Sequence, residues 1–149
     1  MSEPMGEKCV GRRDFLAMLS AVAGSGVLVG CASVALTTLT PENGTLRLAR
    51  ADHPRLNEPG GYLRIQPEGI RETLYLVVLA DGRLAALSPI CTHLGCTVDI
   101  QENQLICPCH GSTYDRNGAV LRGPAERPLR RYPVTESAGS IVISLEGAA

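Results

Sequence analysis

Two short segments, CTHLGC at 91–96 and CPCHGS at 107–112, constrain this chain more than anything else in it. They hold four of its six cysteines and two of its three histidines. Cys91-x-His93 and Cys107-x-x-His110 together offer two thiolates and two imidazoles. That donor set suits a tetrahedral structural zinc. It equally suits a 2Fe–2S cluster with two cysteines on one iron and two histidines on the other. The ligand types leave both open, and they leave Cys96 and Cys109 without a role.

The sequence around the loops predicts a mainly β domain. TLRLA (45–49) and YLRIQ (62–66) alternate apolar and polar residues, as half-buried strands do. Asp81-Gly82 separates two apolar runs within 72–88, which is a hairpin signal. Further turns are expected near Glu102-Asn103, Asn117-Gly118 and Ala138-Gly139. No long helical periodicity interrupts them. The expected fold class is therefore all-β, an antiparallel head with the two Cys/His loops projecting from hairpin ends. The net charge of −1, the single Phe and the absence of Trp give no basis for nucleic-acid binding.

Ahead of the head lies a different composition. GRRDFL (11–16) resembles a twin-arginine export signal, and no residue from Phe15 to Leu39 is charged. That run exceeds the roughly 20 residues a membrane-spanning helix needs. The expected organisation is a twin-arginine region over 1–14, a hydrophobic signal or membrane anchor over 15–39, a linker over 40–45 and the head over 46–149. Leu28-Val29-Gly30-Cys31 offers a second attachment, because it resembles a lipobox whose cysteine is lipidated. Simple cleavage to a soluble form is the third route, and all three would put the head on the extracytoplasmic side of the cytoplasmic membrane.

The residues between the ligands choose the metal. CTHLGC followed by CPCHGS resembles the two binding boxes of the Rieske iron–sulfur family, at a spacing typical of that family. The resemblance extends to DHPRLNEPGG before the boxes and GPAERPL after them. It implies one 2Fe–2S cluster, with Cys91 and Cys107 on the inner iron and His93 and His110 on the outer. It implies a disulfide between Cys96 and Cys109, which needs an oxidising compartment. Ser112 and Tyr114 match positions that donate hydrogen bonds to cluster and cysteine sulfur in high-potential members. Leu94 matches an exposed apolar tip that docks on a quinol pocket. Gly123 and Pro124 match a proline loop over the cluster, although Glu126 stands where a second proline is usual. His53 has no ligand partner near it in sequence and reads as a surface residue.

The resemblance is strongest to the Rieske subunit of quinol-oxidising cytochrome bc-type complexes. It implies a high-potential electron-transfer subunit that takes an electron and a proton from quinol and passes the electron to a c-type cytochrome. A cytochrome b-type membrane subunit is the implied partner, so the chain is not a complete enzyme alone. The alternatives are the small Rieske subunit of a periplasmic molybdenum oxidase, such as arsenite oxidase, and a stand-alone periplasmic electron carrier.

Overall fold

The structure, a computed structural model, describes residues 36–147. The twin-arginine pair, Cys31 and all but the last four residues of the uncharged run lie outside the described residues. Among the described residues, no helix is long and apolar enough to cross a membrane.

Twelve strands are described: β1 (Leu36–Leu39), β2 (Thr45–Ala49), β3 (Tyr62–Pro67), β4 (Leu74–Val78), β5 (Leu84–Leu87), β6 (Asp99–Gln101), β7 (Gln104–Ile106), β8 (Thr113–Asp115), β9 (Val120–Arg122), β10 (Arg131–Tyr132), β11 (Val134–Ser137) and β12 (Ser140–Ser144). They form three sheets, ordered β1-β3-β4-β5-β10, β11-β12-β2 and β6-β7-β8-β9. Every residue of β4 and β5 is buried. Successive side chains of a strand point to opposite faces, so such a strand must be covered on both sides. Leu74, Leu76 and Val78 face one apolar core, with Leu46, Leu48, Ile141 and Ile143 of the three-stranded sheet. Tyr75, Val77 and Leu79 face a second core, with Val98, Leu105, Tyr114 and Leu129. The five-stranded sheet is thus the middle layer, and the four-stranded sheet carries both Cys/His loops.

The expected turns at 81–82, 102–103, 117–118 and 138–139 all join consecutive antiparallel strands. The N-terminal boundary differs from expectation. Leu36–Leu39, the end of the uncharged run, is a strand paired in parallel with Arg64–Pro67 of β3. The following TPENGT is folded into the head. Asn43 and Gly44 take φ of 48° and 71°, and Glu42 and Thr45 exchange backbone hydrogen bonds of 2.8 and 2.9 Å. That is the geometry of a tight hairpin turn. Thr40 Oγ1 also donates to Glu68 Oε2 at 2.7 Å. Charge alone cannot locate the end of an apolar helix when the next element is an uncharged Leu-Thr-Thr-Leu strand.

Candidate metal centre

The two loops have the same backbone. The Cys91 N–H donates to Cys96 O at 2.8 Å, and the Gly95 N–H to Cys91 O at 2.9 Å. Sixteen residues on, Cys107 N–H donates to Ser112 O at 2.8 Å and Gly111 N–H to Cys107 O at 2.9 Å. Gly95 and Gly111 sit at φ of 79° and 75°. A Cβ there would meet no atom within 4 Å, so glycine is required for backbone conformation and not for space. Side chains break the symmetry: histidine is the third residue of the first loop and the fourth of the second.

Folding brings four donors into one place and separates them by depth. Cys91 and Cys107 are 2% and 1% exposed and belong to the second core. Both are free thiols. His93 is half-buried and His110 exposed, with ring centroids 5.0 Å apart and planes at 89°. Cys96 and Cys109 are joined by a disulfide that straps the loops together. Although Cys96, Cys107 and Cys109 place their sulfurs within 4.8 Å of one another, the disulfide uses two of them, so that trio is no ligand set.

Two observations fit these residues to a metal group. His93 Nδ1 is buried with no hydrogen-bond partner, which is costly unless something coordinates it. The thiol pair shares its protons unequally. Burial pushes Cys91 up, but hydrogen bonds from the Tyr114 hydroxyl and the His93 backbone N–H outweigh it and hold the thiol below its ordinary value. Burial and the hydrogen bond shared with Cys91 push Cys107 up. Two soft thiolates deep and two imidazoles near the surface, with no carboxylate among them, match a mixed Cys/His iron–sulfur site.

Tyr114 and Ser112 are both buried at the site. The Tyr114 hydroxyl lies 3.3 Å from Cys91 Sγ and accepts the Thr92 N–H at 3.2 Å. Burial raises its pKa, helped by the contact with Cys91, so it stays a protonated donor. Ser112 Oγ accepts the Ala125 N–H at 3.0 Å, which leaves its own proton free to donate elsewhere. Gly123 and Pro124 are joined by a cis bond and open the segment that carries Ala125.

Residues not singled out in sequence complete the frame. Thr92 Oγ1 donates to Arg127 O at 2.6 Å and sits 3.1 Å from the Tyr114 hydroxyl, so the proline segment is pinned to both loops. Arg116, 9% exposed, donates to Gly60 O, Gly61 O and Glu102 O. It ties the lead-in to the β6–β7 hairpin. In sequence it is one more arginine before an Asn-Gly turn, with no signal of burial. Leu94 is 68% exposed at the tip of the first loop. His53 is half-buried between two short 3₁₀ turns.

Residues 53–133 match the family model of the Rieske [2Fe-2S] domain. The chain is 33% identical over 138 residues to the cytochrome b6-f complex iron-sulfur subunit of Chlorobaculum tepidum, covering 90% of this chain and 75% of that one. It is 41% identical over 101 residues to the cytochrome b6-f complex iron-sulfur subunit 2 of Trichormus variabilis, covering 60% and 55%. Among solved structures, the plasma membrane Rieske protein PetC3 of Synechocystis PCC 6803 is similar with a TM-score of 0.55 at 28% identity. That match covers 66% of this chain and 97% of the other. With this geometry and these relatives, the chain belongs to the Rieske iron–sulfur family, and its cofactor is a 2Fe–2S cluster used for electron transfer.

Proposed function

We infer that the chain is the high-potential Rieske subunit of a quinol-oxidising complex of the cytochrome bc or b6-f type. The observation that carries this reading is the Tyr114 hydroxyl on Cys91 Sγ, with Ser112 buried beside it and its proton free. Hydrogen-bond donors to sulfur stabilise the more negative, reduced state and raise the potential. The b6-f relatives support the same partner class.

In this reading Cys91 and Cys107 hold the inner iron, and His93 and His110 hold the outer. When bound, the cluster supplies a one-electron acceptor whose ligand set, two thiolates and two neutral imidazoles, leaves the oxidised site near neutral. Each histidine keeps one nitrogen for a proton at the surface. The buried His93 Nδ1 faces inward, so its other nitrogen is the one to take the quinol proton. Leu94 supplies the apolar contact to the quinol pocket of a cytochrome b-type subunit, and a c-type cytochrome receives the electron. Ser112 and Thr92 hold the backbone of Ala125 and Arg127 against the two loops. The twin-arginine motif and the disulfide support a head on the extracytoplasmic face, attached through the uncharged run or through lipidated Cys31.

Purification of the full chain from detergent-solubilised membranes tests this. Co-purifying b-type haem and a midpoint in the upper half of the roughly −150 to +300 mV Rieske range are expected. Co-purifying molybdenum without b-type haem would replace the quinol reading with the oxidase one.

A further inference from the structure

The proline segment brings a charged surface to the cluster's side that the quinol reading does not use. Neither Cys/His loop contains a charged residue. Beside the first loop is a groove of about 330 Å³ lined by Thr92, Arg127, Pro128 and Arg130, with no carboxylate in its wall. Both arginines are exposed. Among the described residues the ion pairs are Arg50–Glu136 and Arg83–Asp81, so neither groove arginine has an acidic partner. The backbone of each is nonetheless held in place. The Arg127 carbonyl accepts Thr92 Oγ1, the Arg130 carbonyl accepts the Ser88 N–H at 2.9 Å, and the Arg130 guanidinium lies 5.2 Å from the Tyr132 ring centroid. Arg131 points elsewhere, into a separate groove with Arg83 and Glu136.

We propose that the Thr92–Arg127–Arg130 groove is the docking surface for an acidic redox protein that exchanges electrons with the cluster. The proposal rests on the electron-transfer reading and adds the partner's charge and its landing place. Thr92 lines the groove and touches Tyr114, which touches Cys91, so a carboxylate seated in the groove would be separated from the Cys91 sulfur by only two side chains. The chain's net charge is −1, so the whole molecule would repel an acidic partner weakly. The groove reverses that locally, and fixed positive charge at a contact site raises association rates by about tenfold to a thousandfold at low salt.

The test uses the reduced, cluster-loaded full chain in stopped flow with two small oxidants, ferricyanide (a trianion) and cobalt(III) tris-phenanthroline (a trication). The groove predicts that ferricyanide oxidation slows severalfold as the Debye length shrinks from about 30 Å at 0.01 M salt to about 8 Å at 0.15 M. The net charge predicts the opposite slope. Arg127→Gln with Arg130→Gln should abolish the slope and slow ferricyanide about tenfold at low salt. Arg83→Gln with Arg131→Gln removes the same charge from the other groove and should leave the slope intact. Equal effects of the two double variants, or no slope in the parent protein, overturn the proposal. An acidic c-type cytochrome should follow the ferricyanide pattern. If the groove variant instead loses only binding to phosphatidylglycerol vesicles, the surface is a membrane contact and the proposal fails. The electron-paramagnetic-resonance spectrum of the reduced parent reads the cluster independently, so failure of the surface and failure of the electron-transfer reading are separable.

Discussion

The Tyr114 hydroxyl has one proton and two neighbours for it, Cys91 Sγ at 3.3 Å and Thr92 Oγ1 at 3.1 Å. Thr92 has already given its own proton to Arg127 O, so Tyr114 cannot receive from that hydroxyl and must donate. A sulfur bonded to iron accepts more strongly in the reduced state. We therefore predict that Tyr114→Phe lowers the midpoint potential by about 40–60 mV, for a bond worth about 1–1.4 kcal/mol more after reduction. Ser112→Ala should lower it too, and should also strip the Ala125 N–H of its acceptor. Faster hydrogen exchange at Ala125 in that variant distinguishes it from Tyr114→Phe. Redox titration of both variants is the check, and unchanged midpoints would remove the basis for a high-potential site. The cysteine strap belongs to the same scale. The bridge spans 13 positions, which amounts to about 3 kcal/mol in the chain-entropy model. Cys96→Ser with Cys109→Ser should therefore lower the melting temperature of the loaded protein and release the cluster at lower denaturant, read by loss of visible absorbance.

At the scale of elements, the site hangs on a turn that has no room to change. A Cβ on Gly61 would sit 1.7 Å from Arg55 O, where the lead-in chain crosses its own backbone. No rotamer change relieves a clash with a carbonyl, so Gly61→Ala should destabilise by at least about 3 kcal/mol or prevent folding. Thermal melts and soluble yield would show it, and a variant that melts with the parent would mean the lead-in is free to move. Arg116 holds the same turn, and Arg116→Met removes the side-chain donor to the part-buried Gly60 and Glu102 carbonyls, while Gly61 O keeps the Val78 N–H, a loss of about 1–3 kcal/mol. These two dependencies explain what could be read from the chain and what could not. The hairpins at Asp81-Gly82 and Asn117-Gly118 were legible because a turn's backbone demand falls on the residue that answers it. The pairing of Cys96 with Cys109 came only from resemblance, since spacing does not choose partners. Arg116 and Thr92 were hidden because their partners are backbone carbonyls and a hydroxyl far along the chain. β1 was hidden because its Leu-Thr-Thr-Leu has the same lack of charge as the run before it.

Among the described residues, two cores share one sheet, and the cofactor's cysteines belong to only one of them. Cys91 and Cys107 pack among Val98, Leu105, Tyr114 and Leu129, whereas Leu46, Leu56, Leu74 and Ile143 fill the other side of the middle sheet without touching the site. The four-stranded sheet has strands of only three residues and depends on that second core for burial. Removing the cluster leaves the His93 nitrogen unpartnered and two thiols facing each other at the core's edge. Because the metal binds the folded loops and not the unfolded chain, its loss subtracts stability where its ligands are packed. We predict that chelation under mild acid raises hydrogen exchange throughout β6–β9 and both loops, while β2, β3 and β12 keep their protection. Exchange mass spectrometry of the loaded and stripped protein, with the disulfide intact in both, separates the outcomes. A uniform rise across all three sheets would mean that the middle sheet transmits the loss and the two cores unfold as one. Protection retained in β6–β9 would mean that the disulfide strap and the Thr92 and Ser112 contacts hold the site's shape without its metal.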